Sequence, residues 1–169
     1  IGPVLSEPLA QGICVPVEGG WRLAVASPKP VDVAEFEAVE RLLESHHVIA
    51  GGGGGVPVTA DGVPVDAVVD KDWVAALLAA RLGARTLVFA TDVDGVYAEF
   101  GTDEARLLEV LDAGAGLQLF AGGTGAGSMA PKVGAAAEFA EATGHHGHIC
   151  ALLDVASALQ GKCGTTITS

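Results

Sequence analysis

Residues 69–97 read VDKDWVAALLAARLGARTLVFATDVDGVY, and this stretch decides the fold class. Asp70 or Asp72 can accept hydrogen bonds from the unpaired N–H groups of a helix start. The Ala- and Leu-rich run from Trp73 to Leu82 favours a helix, and Gly83 suits the left-handed residue that closes one. Thr86 to Ala90 is then a short apolar run with β-branched and aromatic members, which predicts a buried strand. It ends in the polar loop Thr91-Asp92-Val93-Asp94-Gly95-Val96-Tyr97. A helix feeding a buried strand that opens into a polar loop is the repeating unit of an α/β layer structure.

The same alternation extends outward on both sides. Upstream, Pro28-Lys29-Pro30 is an extended breaker, after which Asp32 and Glu35 form a capping-box pattern. The helix it opens places Val33, Phe36, Val39, Leu42 and Leu43 at helical spacing. Val48-Ile49-Ala50 predicts a short buried strand running into five glycines, Gly51 to Gly55, and Val56 to Val65 alternates around the hairpin signal Asp61-Gly62. Downstream, a Gly-rich passage spans Gly114 to Gly127. Ser128 then caps a helix through about Thr143, and His148 to Leu152 predicts a strand. Asp154 to Gln160 predicts a short helix and Thr165 to Thr168 a last strand. The expected fold is α/β, a mostly parallel sheet with helices on both faces.

Composition narrows the function classes. A chain of 169 residues, half of them hydrophobic, can bury one substantial core. Low aromatic content with abundant Gly and Ala points to closely approaching helices and strands. A net charge of −12 argues against nucleic acid or an anionic membrane as the main partner, so anionic substrates require local positive charge. No apolar run approaches the roughly 20 residues of a membrane span, and no segment reads as a signal peptide. Cys14, Cys150 and Cys163 are odd in number and widely spaced, which favours reduced thiols and a cytoplasmic setting. His145, His146 and His148 lie in a Gly-flanked turn and are expected to be solvated loop residues, not metal ligands; His46 and His47 are expected to be structural.

In such a sheet ligands bind beyond the carboxyl ends of the strands. The glycine run Gly51, Gly52, Gly53 and Gly54 offers backbone N–H groups with no Cβ in the way, although a poly-Gly loop also suits a linker or a tight turn. Asp70-Lys71-Asp72 sets a cation between carboxylates at a helix start, where the helix dipole disfavours it unless an anion is present. Lys132, in the first turn of the helix opened by Ser128, repeats the anomaly. A bound polyphosphate explains both lysines, because free helix N–H groups and a lysine point charge suit phosphate oxygens.

Together, Ile1-Gly2-Pro3, Ser27-Pro28-Lys29-Pro30, Gly51 to Gly54 with Val56-Pro57-Val58, Val69-Asp70-Lys71-Asp72, Thr91 to Tyr97 and Gly127-Ser128-Met129-Ala130-Pro131-Lys132 resemble carbamate kinases of the amino-acid-kinase superfamily. The resemblance runs in order across nearly the whole chain. It implies reversible phosphoryl transfer between ATP and carbamate, giving ADP and carbamoyl phosphate, in arginine-deiminase catabolism. It further implies that Lys71 and Lys132 neutralise charge on the nucleotide and the transferring phosphoryl group while Asp72 orients them, with Mg²⁺ accompanying the nucleotide. Gly51, Gly52, Gly53, Gly54, Asp70, Gly127, Ser128 and Met129 would border the nucleotide, and Thr91, Asp92, Asp94 and Tyr97 its adenosine side. A homodimer is expected of the full-length form.

Several features depart from that family. The amino-terminal lobe, with its own glycine-rich loops and carbamate site, is not within the chain, which begins at Ile1. Residues 1–30 are therefore expected to be a remnant of a protruding subdomain with its connecting segment, and residues 31–169 a nucleotide-binding domain. Glu18-Gly19-Gly20-Trp21-Arg22 is shorter and less basic than its family counterpart, and Gly122 to Ala126 is a glycine-rich replacement. Two other readings stay open: a non-catalytic nucleotide-binding module, and a phosphotransferase of the same superfamily with another acceptor.

Overall fold

In the computed structural model, which describes Glu7, residues 14–121 and residues 129–169, the chain opens on an antiparallel hairpin. Strand β1 (Cys14–Val17) pairs with β2 (Gly20–Leu23) from Cys14↔Leu23 to Val17↔Gly20, around a Glu18-Gly19 turn. Gly19 sits at φ +82°, a value that glycine takes without steric cost. An extended segment leads to helix α1 (Phe36–Leu43). The predicted capping box does not form: Glu35 stands at the N-cap without a side-chain bond, and Asp32 instead accepts from Val33 N–H and ion-pairs with Arg81. The Arg81 guanidinium also stacks over the Phe36 ring at 3.8 Å, which ties the start of α1 to the end of the next helix.

The predicted strand at Val48-Ile49-Ala50 is absent, and Ile49 is fully exposed. An apolar run becomes a strand only where a neighbour completes its ladder, and no described residue pairs with it. The expected hairpin of Val56 to Val65 is reduced to one bridge, Val58↔Pro64, with Thr59 N–H donating to the Val63 carbonyl across the turn.

From here the helix-strand alternation takes over. Helix α2 (Lys71–Arg81) leads into β3 (Thr86–Thr91), and the small ladder of β4 (Tyr97–Ala98) with β5 (Arg106–Leu107) follows. Strand β6 (Val110–Asp112) runs directly into helix α3 (Ala113–Ala121), which takes up the first part of the Gly-rich passage from Gly114. Helix α4 (Met129–Thr143), strand β7 (His146–Ala151), a 3-10 turn at Leu152–Asp154, the short helix α5 (Val155–Ala158) and β8 (Thr165–Thr168) complete the chain. The principal sheet has the order β3-β7-β8-β6, in which β3 with β7 and β6 with β8 are parallel and β7 with β8 is antiparallel.

Leu87, Phe89, Gly147, Ile149, Thr165, Ile167 and Leu111 fall in register on one sheet face. Against this face α4 packs, with α2 and α3 beside it. Lys132 to Ala137, Phe139 and Ala140 of α4 are all buried. Small side chains permit this depth: a Cβ at Gly147 would stand 2.9 Å from the Ala136 Cβ, and one at Gly116 only 3.3 Å from the Ala137 Cβ. His148 corrects another expectation. The strand expected from His148 onward forms as β7 and already starts at His146, but His148 is not solvated: it is 7% exposed, its Nδ1 3.2 Å from the Thr166 hydroxyl.

Candidate phosphate-binding site at the starts of α2 and α4

Both α2 and α4 immediately precede strands of the parallel pair β3 and β7 and pack against them. A helix that returns to feed such a strand runs opposite to it, so both helix starts lie at the carboxyl edge of the sheet. That edge also carries the loop after Thr91.

Asp70 holds an extended backbone, and its carboxylate accepts from Asp72 N–H at 2.7 Å, which satisfies one of the free donors of the first turn. Capping at Asp70 places Lys71 and Asp72 inside that turn. Asp72 is 4% exposed and Lys132, from the first turn of α4, is 7% exposed. Lys132 Nζ donates to Asp72 Oδ2 at 2.9 Å, and Lys71 Nζ stands 3.8 Å from the same oxygen while remaining half exposed. One carboxylate thus anchors two ammonium groups at the point where two helix N-termini converge. A buried ion pair survives only when well paired, and this one leaves positive charge facing a positive helix end.

The glycine run joins the same place. Gly54 N–H donates to the Gly51 carbonyl at 2.7 Å, closing a turn in which Gly51, Gly52 and Gly54 take φ of +76°, +47° and +127°. Gly54 is buried against the chain entering α2. A Cβ there would overlap the Val69 carbonyl oxygen and stand 3.3 Å from Lys71 N, so only glycine fits. At Gly52 and Gly53, by contrast, a Cβ would meet nothing within 4 Å. The loop therefore turns its tip to open space beside Lys71.

A second group lies beyond β3. Thr91 Oγ1 donates to Asp92 at 3.0 Å and the Tyr97 hydroxyl to Asp94 at 3.3 Å. Burial, followed by the Asp94 charge and hydrogen bond, pushes the Tyr97 phenol above its usual range. The loop is fixed by a residue the motif reading did not single out. The fully buried Thr165 accepts from Val96 N–H at 2.8 Å, and a Cβ at Gly95 would stand only 2.7 Å from the Thr165 hydroxyl oxygen. The sequence signals Thr165 only as a β-branched strand residue.

Met129 begins α4 and packs on the core, whereas Gly127 and Ser128 lie outside the described residues, as do Ile1-Gly2-Pro3 and Gly122 to Ala126. Beside Asp70 and Pro131 runs a groove of about 450 Å³ that also takes in Ser27, Lys29, Trp73 and Glu138. Among the described residues no three His, Cys, Asp or Glu gather to hold a metal ion, and no helix is long and apolar enough to cross a membrane.

Comparison with known proteins bears directly on this geometry. The profile of the amino acid kinase family matches residues 6–151. A carbamate kinase of Halobacterium salinarum is 45% identical, with 99% of this chain and 59% of that protein aligned. A carbamate kinase of Escherichia coli is 42% identical over 87% of this chain and 49% of its own length. The structure of carbamate kinase from Giardia lamblia bound to AMP-PNP superposes with a TM-score of 0.79 at 36% identity, covering 94% of this chain and 52% of that one. The chain thus spans about half the length of the curated relatives it matches.

Proposed function

This chain belongs to the amino acid kinase family, and from that premise we propose that it supplies the ATP/ADP site of a carbamate kinase. The reaction is reversible transfer of the γ-phosphoryl group from ATP to a carbamate oxygen: the bond to the ADP oxygen breaks, the bond to carbamate forms, and carbamoyl phosphate and ADP result. The observation that carries the reading is the buried Asp72–Lys132 pair with Lys71 on the same carboxylate and the Gly51–Gly54 turn against the start of α2.

Lys132 cannot swing freely, because Asp72 holds it, so its charge is preorganised for a phosphoryl oxygen. Lys71, half exposed and only loosely paired with Asp72 at 3.8 Å, has room to follow the phosphates. Preorganised cations and helix N-termini stabilise the charge that builds on a transferring phosphoryl group, which accounts for most of the catalysis in this chemistry. The glycine turn, with Met129 and the Gly127-Ser128 approach to α4, would cradle the phosphates, and Thr91, Asp92, Asp94 and Tyr97 would border the adenosine. Asp70 and Asp72 are committed to a helix cap and to lysines, so Mg²⁺ would be carried by the nucleotide oxygens and not by these carboxylates.

On this reading residues 31–169 form the nucleotide-binding domain and residues 1–30 the connection to a protruding subdomain. The complete protein would work as a homodimer in the cytoplasm, in arginine catabolism. Calorimetry with Mg-ADP is the first test: heat of binding that vanishes in Lys132→Met is expected, and no binding to the folded wild-type chain refutes the site. ATP formation from ADP and carbamoyl phosphate then separates the catalytic reading from a non-catalytic nucleotide module.

A further inference from the structure

Building on the nucleotide-site reading above, we infer that Lys29 is a positioning residue for the Asp72–Lys132 pair, a staple that joins α2 to α4 from the outside of the helical layer. Its ammonium lies 4.4 Å from the centroid of the Trp73 ring, and Trp73 directly follows Asp72. The same ammonium ion-pairs with Glu138 of α4. Two links of different chemistry therefore span the same two helices. Asp72–Lys132 does so in the interior, and Trp73–Lys29–Glu138 does so at the surface.

The segment that brings Lys29 there is itself seated. The Ala26 carbonyl accepts from Val68 N–H at 2.9 Å, and the next residue, Val69, is the one Gly54 packs against. The segment carrying Lys29 and the glycine turn are thus both seated on the chain that enters α2. Ser27, Lys29, Asp70, Trp73, Pro131 and Glu138 all border one groove, which meets the site at the α2 cap, Asp70.

Stability is not what this arrangement secures. The Lys29 and Glu138 side chains are 52% and 44% exposed, and ion pairs so hydrated contribute little to folding. What the staple does is restrict direction. A cation over the indole fixes the Trp73 ring and with it the first turn of α2, while Glu138 selects the point on α4 to which that turn is tied. A lysine placed for a phosphoryl oxygen loses much of its effect when displaced by about 1 Å, so a weak link can matter to binding and catalysis while barely touching the fold.

The test uses the intact chain with ¹⁵N-labelled lysine, read through the ammonium signal of Lys132, which is assigned by its disappearance in Lys132→Met. Lys29→Met is expected to shift or broaden that signal and to weaken Mg-ADP binding about fivefold, with the melting temperature within about 2 °C of wild type. Lys29→Arg restores both, because a guanidinium also stacks on the indole and pairs with Glu138. An unchanged Lys132 signal in Lys29→Met overturns the inference, and so does a melting loss that Lys29→Arg fails to repair. If the wild-type chain binds no ADP, the nucleotide reading falls, and the ammonium signal alone decides the staple.

Discussion

Replacing Asp72 by Ala removes the carboxylate from a lysine that is 7% exposed and held at 2.9 Å. Lys132 cannot reach bulk water without unpacking the first turn of α4, whose neighbours Val133 to Ala137 are buried. Breaking one side of a buried pair costs about 3–5 kcal/mol because the partner charge is left uncompensated. In a domain of this size each kcal/mol lowers the melting temperature by roughly 2–4 °C, so a fall of about 6–20 °C is expected. The reverse change, Lys132→Met, should cost less, about 1–3 kcal/mol, because Lys71 at 3.8 Å still offsets Asp72. The double variant Asp72→Ala/Lys132→Met has no orphaned charge and a stem of similar volume, so it should return to within about 1.5 kcal/mol of wild type. Urea unfolding of the four proteins measures the coupling, and Mg-ADP calorimetry on the same samples should show binding lost in Lys132→Met and in the double variant. Additive losses in the double variant would refute the argument, since they would mean that Asp72 and Lys132 are not paired in solution.

The glycine turn gives a sharper steric test. Gly54 sits at φ +127°, and Gly54→Ala must also displace the Val69 backbone, so thermal unfolding should report a loss of at least about 2 kcal/mol, and calorimetry weaker ADP binding. Gly53→Ala, which meets nothing within 4 Å, should stay within about 1 kcal/mol. Thr165→Val leaves the buried Val96 N–H without its 2.8 Å acceptor, and urea unfolding should show a cost of about 1–3 kcal/mol. His148 has its pKa lowered, chiefly by burial and then by His146, so the unfolded chain binds its proton more readily than the folded one. Stability from this group is therefore present above the unfolded value of about 6.5 and is lost as pH falls from there through the folded value. His148→Asn should flatten that part of a melting-temperature profile.

Much of the architecture was legible in the residues. The α2 cap at Asp70, the α2–β3 unit, the α4–β7 unit and β8 follow from caps, breakers and apolar runs, and each forms within two residues of its expected limits. Helix α3 was not legible. Its sequence AGAGLQLFA contains Gly114 and Gly116, each costing about 1 kcal/mol in an isolated helix. Gly116 is what lets α3 approach the Ala137 Cβ, so the residue that hides the helix locally is the one its packing requires. Val48-Ile49-Ala50 errs in the opposite direction, since an apolar run cannot state whether a partner strand will be present. The strand at His148 is legible, but its burial is not, because which strand residues are covered depends on the register with β3 and β8 and on what packs over them.

The α/β class, the lysines misplaced at two helix starts and the glycine run that suits a phosphate are properties of local sequence, because caps, dipoles and backbone freedom act within about one helical turn. That one carboxylate serves both lysines, that Gly54 lies against Val69, and that Lys29 spans Trp73 and Glu138 are consequences of long-range packing. Asp72 and Lys132 are 60 residues apart, and Lys29 and Glu138 are 109 apart. The first of these contacts is set by the parallel pairing of β3 with β7, which brings the starts of α2 and α4 to the same edge of the sheet, and the second by the segment that Val68 seats beside α2.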